Sequence, residues 1–214
     1  MKNHTKLWAA TAPLALITSL AFAETAYADG TVECNVGPAN RTTECGVDAE
    51  ASQADATAVG NFAKARGRFS TALGAFSIAG RDRTIAIGPA SIADANDAIA
   101  IGGFSSALGE RSVAFGSTAT ANNLGSIAIG GRDINLRPTT ASADFATVIG
   151  AGASAERTAS FATVVGSGAV ANGARSIVLG ASAIADGPNS VALGSNSLAS
   201  RENSVSVGDF RLQR

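Results

Sequence analysis

Few residues of this chain have the types and the spacing that catalysis needs. Asp94 and Asp97 could serve as paired carboxylates in acid–base catalysis, but both fall in a turn segment with nothing nearby to desolvate them, so solvated turn residues are the favoured interpretation. Gly150-Ala-Gly152 and Gly166-Ser-Gly168 look like parts of a phosphate-binding loop, yet neither opens a predicted helix. We therefore predict no catalytic, cofactor-binding or metal-binding residues.

The two cysteines, Cys34 and Cys45, are the remaining reactive groups. In an exported chain an oxidising compartment favours a disulfide, and a small loop within one chain is the favoured outcome, with a bond between two chains or a pair of free thiols as alternatives. The pair makes a poor metal site, because residues 29–214 contain no further Cys and no His to complete a tetrahedral shell.

Residues 1–28 have the features of a Sec-type signal peptide. Lys2 and Lys6 precede an apolar stretch, and Ala26-Tyr27-Ala28 offers a small-residue cleavage site, with Ala21-Phe22-Ala23 as an alternative. The stretch is too short and too interrupted for the roughly 20 apolar residues of a membrane anchor. We expect export, and either a cell-surface or outer-membrane location or secretion, with no membrane span in the mature chain.

Cleavage would remove His4, the only histidine, so a serine nucleophile would have no imidazole base. The same cleavage would leave 14 basic and 16 acidic residues, a formal charge of −2. This charge favours no nucleic-acid partner.

A 14-residue repeat dominates the chain and predicts its fold. One glycine per unit keeps the register, with two longer intervals of 20 and 16 residues: Gly60, Gly74, Gly88, Gly102, Gly116, Gly130, Gly150, Gly166, Gly180, Gly194 and Gly208. A large apolar residue precedes each glycine, and a β-branched residue stands three positions before it, as in Ile127-Ala-Ile129. This period of two predicts a short strand, and an alanine five residues after most of the glycines predicts a second strand.

A unit of strand, turn, strand and turn cannot bury its own apolar side chains, so stacked units should form a solenoid. We expect the large apolar residues, and the threonines that replace them at Thr57, Thr71, Thr147 and Thr163, to point inward. On this interpretation Ile129→Asp would bury a charge and destabilise the stack severely. An alanine-rich solenoid has a thin core, so we expect a symmetric homo-oligomer.

These units resemble the head repeats of the YadA-like trimeric autotransporter adhesins. The similarity rests on recurring motifs such as Ser112-Val-Ala-Phe-Gly116, Ser126-Ile-Ala-Ile-Gly130 and Ser190-Val-Ala-Leu-Gly194, and it extends over about residues 54–214. The resemblance implies an all-β, left-handed parallel β-roll of 14-residue coils that forms a homotrimer. It also implies a neck-like segment beginning at residues 209–214, whereas the stalk and the membrane anchor that follow in the family are not found here, so the mode of anchoring is left open.

The predicted organisation is a signal peptide (1–28), a Cys-containing segment (29–53), a head-repeat solenoid (54–208) and the start of a neck (209–214). An insertion at about 131–145 should be a loop projecting from the rod, either a tolerated insertion or a binding element.

The resemblance implies the head of a bacterial surface adhesin that binds an extracellular-matrix protein such as collagen, or other surface ligands, and promotes attachment or aggregation. Some heads of the family use a motif that Asn189 to Ser197 matches, which makes Asn189, Ser190, Ser195 and Ser197 candidate ligand-binding residues. The alternatives are a stand-alone structural solenoid and a solenoid enzyme acting on carbohydrates.

Overall fold

In the computed structural model, residues 34–35, 37 and 39–208 are described, and this part of the chain is built of strands and turns without a helix. The predicted signal peptide and the predicted neck lie outside the described residues. In chain order the strands are β1 (Cys34–Asn35), β2 (Thr43–Cys45), β3 (Glu50–Ala51), β4 (Thr57–Val59), β5 (Lys64–Ala65), β6 (Thr71–Leu73), β7 (Ile78–Ala79), β8 (Ile85–Ile87), β9 (Ile92–Ala93), β10 (Ile99–Ile101), β11 (Ser106–Ala107), β12 (Val113–Phe115), β13 (Thr120–Ala121), β14 (Ile127–Ile129), β15 (Thr140–Ala141), β16 (Thr147–Ile149), β17 (Ser154–Ala155), β18 (Thr163–Val165), β19 (Val170–Ala171), β20 (Ile177–Leu179), β21 (Ile184–Ala185), β22 (Val191–Leu193), β23 (Leu198–Ala199) and β24 (Val205–Val207).

Two parallel sheets run along the solenoid. The even-numbered strands, together with β1, form a 13-stranded sheet, called here the wide sheet. The odd-numbered strands from β3 to β23 form an 11-stranded sheet, the narrow sheet. Most neighbouring strands pair 14 residues apart, as Ile99 pairs with Val113, so every coil repeats the one before it. The predicted all-β parallel solenoid is confirmed.

The N-terminal end of the stack is closed by a cap. β1 pairs antiparallel with β2, and a disulfide joins Cys34 to Cys45. The buried carboxylate of Glu44 accepts a hydrogen bond of 2.6 Å from the backbone N–H of Ala51, at the first strand of the narrow sheet. Parallel pairing already begins at β2, so the solenoid starts before residue 54. A capped end exposes fewer unpaired backbone groups to other chains.

The interior of the coils is filled by small side chains. In the narrow sheet the second residue of each strand is alanine and is buried. In the wide sheet the middle residue of nearly every three-residue strand is fully buried: Ala58, Ala72, Ala86, Ala100, Ala114, Ala128, Val148, Val164, Val178 and Ala192. The two sheets therefore pack through a layer that is only one small side chain deep on each side.

The predicted direction of the large apolar residues is wrong. Ile129 is 36% exposed and lies on the outer surface of the wide sheet, whereas its neighbour Ala128 is fully buried. Thr163 is likewise exposed, and Thr57, Thr71 and Thr147 are half-buried on the same outer surface. Alternation along a strand separates two faces, but it does not say which face is inside. Side-chain volume decides this, because the space between the two sheets admits alanine and valine.

Buried serines donate hydrogen bonds to backbone carbonyl groups at the turns. The hydroxyl of Ser70 donates to the carbonyl of Gly67 at 2.6 Å, and the hydroxyl of Ser77 donates to the carbonyl of Gly74 at 2.8 Å. Such local bonds pair buried carbonyl groups that the strand ladders leave free.

The repeat glycines are required by both conformation and space. Gly102 has φ +129°, and a Cβ placed there would lie 2.6 Å from the carbonyl group of Gly116 in the next coil. The other repeat glycines from Gly60 to Gly194 also have positive φ. The close vertical approach of successive turns therefore depends on the missing side chain.

Gly102→Ala should lower the free energy of unfolding by about 2–4 kcal/mol, because it combines left-handed strain with an overlap against backbone. Gly103→Ala is the matched control, since a Cβ there meets the Pro89 ring at 3.4 Å and no backbone closer than 3.8 Å. Chemical denaturation of both variants measures the difference. Equal unfolding midpoints for the two variants would contradict the account of the turn.

Ala128→Asp should prevent folding or lower the melting temperature severely, because it buries an unpaired carboxylate between the sheets. Ile129→Asp should keep a β-rich circular dichroism spectrum in the isolated chain, because that side chain lies on the outer surface. Loss of the β spectrum in Ile129→Asp, with Ala128→Asp folded, would reverse the assignment of the two faces.

Candidate interaction surface

A stripe of large apolar side chains covers the outside of the wide sheet from β4 to β24, and this stripe is called here the apolar face. Two outward positions per strand contribute to it, the residue before the repeat glycine and the residue two positions earlier. The large residues that are exposed on it are Leu73, Phe115, Ile129, Ile149, Val165, Ile177, Leu179, Leu193, Val205 and Val207. The stripe is continuous because the strands are in register, with a spacing of about 4.8 Å.

The length of the apolar face is typical of an interaction site. Eleven strands at about 4.8 Å give a stripe roughly 50 Å long. Soluble monomers rarely expose continuous apolar patches beyond a few hundred Å², and larger patches mark interaction sites. Charged side chains are absent from the outward positions of the even-numbered strands β4 to β24, so the face carries only apolar side chains and threonines.

Two rows of turns border the apolar face, one on each side. The first edge consists of the turns that follow the repeat glycines, and the second edge consists of the turns that lead from the narrow sheet back to the wide sheet. Each turn has one residue in the left-handed region, so these residues recur every seven positions, as at Phe62, Phe69, Phe76 and Arg83. Each coil is thus made of two similar halves.

Phenylalanine occupies six of these left-handed positions, with φ between +55° and +62°: Phe62, Phe69, Phe76, Phe104, Phe145 and Phe161. Bulky residues are rare in this region, where Asn, Asp and Gly are favoured, and the structure does place asparagine at the same position at Asn189, Asn196 and Asn203. All six rings are exposed in the single chain. Backbone strain that serves no interior packing points to a role at the surface.

Two pairs of these rings stack between neighbouring coils. Phe62 and Phe76 lie on the first edge with ring centroids 5.2 Å apart, and Phe145 and Phe161 lie on the second edge at the same separation. Near-parallel rings at this distance form ready-made apolar platforms on the edges.

The carboxylates considered for catalysis are held in ion pairs on exposed turns. Asp97 accepts hydrogen bonds from Arg83, which together with the charge of that guanidinium hold the pKa of Asp97 below its ordinary value. Asp94 lies 3.6 Å from Arg81. A lowered pKa is the opposite of what a general acid needs at neutral pH. Gly152 and Gly168 occupy left-handed turn positions, and neither lies at the start of a helix.

The insertion forms a short loop on the first edge, residues 131–138, called here the insertion loop. The Asp133 carboxylate accepts hydrogen bonds from the backbone N–H groups of Asn135 and Arg137, both at 2.9 Å, and from the Arg137 side chain at 2.9 Å. These bonds, with that from the backbone of Arg137 the largest cause, hold the pKa of Asp133 below its ordinary value. The loop should therefore stay closed above the ordinary carboxyl range and loosen as the pH falls through the lowered pKa of Asp133.

The loop leans over the following coils and leaves a shallow cleft of about 360 Å³ beside it, lined in part by Arg132, Ala151 and Ser182. The loop can lie this close to the turns of Gly152 and Gly168 because those residues lack a side chain: a Cβ at Gly152 would lie 2.7 Å from Asp133.

The four candidate ligand-binding residues do not share one surface. Asn189 and Ser195 are exposed, and the Asn189 amide donates to Asn203 at 3.2 Å. Ser190 and Ser197 are buried inside the coil, and the Ser190 hydroxyl donates to the carbonyl of Gly187 at 2.6 Å. Only Asn189 and Ser195 can meet a ligand without a change of the coil.

The described residues contain no group of three or more His, Cys, Asp and Glu side chains that could hold a metal ion. In the same part of the chain, no helix has the length and the hydrophobicity needed to cross a membrane. Neither the apolar face nor the aromatic edges were predicted from the sequence. The seven-residue spacing of several phenylalanines was the signal that could have revealed the edges.

Comparison with known proteins identifies the repeat. The family model of the YadA head domain repeat matches residues 46–77, 82–105, 107–132, 158–183 and 185–210, so the segment from 133 to 157 falls outside the match. No curated protein matches the chain. Among solved structures, the chain is similar to the collagen-binding domain of the Yersinia adhesin YadA, with 31% identity over 71% of this chain and 73% of that chain and a TM-score of 0.49. Because the family model matches more than half of its residues, this chain belongs to the family of YadA head repeats.

Proposed function

We propose that the chain is the head of a bacterial surface adhesin, in which three copies associate through the apolar face and present the rest of their surface to an extracellular-matrix ligand. The observation that carries this proposal is the apolar face itself, a continuous stripe of large side chains on a chain built from head repeats. The proposal assigns no catalytic reaction to the chain.

Association through the apolar face would supply the apolar burial that the thin coils lack. The interior consists of alanine, serine and valine, and such small side chains bury little apolar area per residue. Burial of each large outward side chain between copies would add about 1.5–3 kcal/mol. A cyclic trimer places three such faces around one axis, as the resemblance to trimeric adhesins implies.

Collagen is the first ligand to test, because the similar solved structure is described as the collagen-binding domain of an adhesin. Collagen is a long triple helix of three extended chains, so it presents an extended surface to a binding protein rather than a small chemical group. The outer surface of the narrow sheet and the exposed turns form a long regular surface of comparable shape. Contacts that are weak in one copy gain strength when three copies bind together.

The test uses the full chain against immobilised triple-helical collagen and against the same collagen after heat denaturation. We expect saturable binding to the triple helix and a large loss of apparent affinity, about 10²-fold or more, in Ile129→Asp, because separated copies lose the avidity.

The exposed candidates are tested by combining Asn189→Ala with Ser195→Ala, and Asn61→Ala with Ser117→Ala is the matched control at exposed turn positions. Weaker binding of the first pair alone would support contact at Asn189 and Ser195. A folded trimer that binds neither triple-helical collagen nor other matrix proteins would overturn the ligand assignment, in favour of a purely structural solenoid.

A further inference from the structure

The two departures from the 14-residue step lie in consecutive coils and on opposite edges. The 20-residue interval places the insertion loop on the first edge, between β14 and β15. The 16-residue interval places extra residues, Arg157 and Thr158, in the turn between β17 and β18 on the second edge. Both breaks fall in or next to the segment that the family repeat leaves unmatched. Two insertions in consecutive coils of an otherwise uniform solenoid point to a common structural role.

The insertion loop presents an apolar tip that its own chain does not cover. Ile134 is 98% exposed and Leu136 is 70% exposed, whereas the Asp133 carboxylate beneath them is tied to Arg137. The loop is also set at a defined height, because Asp133 packs over Gly152 of the next coil and Arg137 lies above Gly168 of the coil after that. It is thus a fixed projection rather than a loose connection.

The second edge carries an apolar platform at the same height. Phe145 follows β15, in the coil that contains the loop, and Phe161 follows β17, in the coil of Gly152. The Phe145 ring covers Gly125, where a Cβ would lie 2.7 Å from it, and the ring stacks on Phe161. The two rings are 46% and 60% exposed in the single chain.

Cyclic packing brings these two features together. If three copies turn their apolar faces to a common axis, the first edge of each copy must meet the second edge of its neighbour, because cyclic interfaces are heterologous. The loop tip and the aromatic platform then adjoin each other at the rim of the apolar face. Within one copy they lie on opposite sides of the wide sheet and cannot meet.

The geometry assigns the insertion loop to contact between copies: Ile134 and Leu136 of one copy pack on the Phe145–Phe161 platform of the next. This assignment rests on the proposed association through the apolar face. The contact between the loop and the platform also fixes the axial register between copies, which the apolar face alone does not. Identical coils can also pair with an offset of one or more coils and similar contacts, and such staggered pairs cannot close into a cyclic trimer, whereas a projection and a platform at the same height fit only the unstaggered arrangement that closes. The insertion loop therefore sets the axial register of the copies, and its contact with the platform is called here the register latch.

The latch can be tested by cross-linking the full chain. Ile134→Cys combined with Phe161→Cys should form disulfides between copies and give a covalent trimer on non-reducing gels, because each copy is then joined to both neighbours. Ile134→Cys combined with Leu198→Cys is the matched control, since Leu198 lies on the outer surface of the narrow sheet, and it should give no covalent trimer.

A second variant tests the energy of the contact without new cysteines. Ile134→Asp with Leu136→Asp changes side chains that are exposed in the single chain, so the coil should fold as before. The trimer should dissociate at a protein concentration about tenfold or more higher than the parent, as expected when apolar burial is lost. Leu198→Asp should leave that concentration unchanged.

The outcomes separate the latch from the trimer. A non-covalent trimer that neither cross-links through residues 134 and 161 nor responds to the two aspartates would overturn the latch and leave the association through the apolar face intact. A parent chain that is monomeric at all concentrations would overturn both.

Discussion

The whole structure depends on how closely one coil approaches the next. Backbone hydrogen bonds between strands fix the spacing at about 4.8 Å, and at the turns the main chain of one glycine rests on that of the next. This contact leaves no room for a Cβ, which explains why one glycine recurs in each unit. Short turns join the two sheets within each coil, so the space between the sheets is thin, and small side chains such as that of Ala128 fill it.

The large apolar residues therefore lie on the outer surface of the wide sheet. A usual β-solenoid would hide its isoleucines and expose polar groups, whereas this chain does the reverse along the wide sheet. The coil is held by backbone ladders and small side chains, and the apolar side chains are left available for association. Under the proposed association, folding and assembly are divided between the two faces of one strand, as Ala128 and Ile129 illustrate.

The sequence predicted the period, the strands and the turns, because these follow from spacing and from the residue types that turns require. The sequence did not show which face of each strand is buried, because the alternation at Ile127, Ala128 and Ile129 is equally compatible with either face inside. The volume between the two sheets decides which face is buried, and this volume depends on the distance between the sheets. A comparison of alanine with isoleucine at adjacent positions would have favoured alanine inside. The buried positions of Ser190 and Ser197 were hidden for the same reason.

The projecting loop followed from the 20-residue interval, whereas its packing and the stacking of the aromatic rings did not, because these contacts depend on which side chains lie on the same edge at the same height. Phe145 and Phe161 are 16 residues apart and stack only because the extra residues between them are absorbed in a turn. Their left-handed backbone costs free energy that asparagine would avoid. We interpret that cost as offset by contacts outside the single chain.

The most direct test of the central claim, that the apolar face is buried between copies, is the mass of the full chain in solution by light scattering over a range of concentrations. The account predicts three times the mass of one chain, reduced to the mass of a folded single chain in Ile129→Asp. A parent chain that stays monomeric and soluble at high concentration, with its apolar face in water, would contradict it.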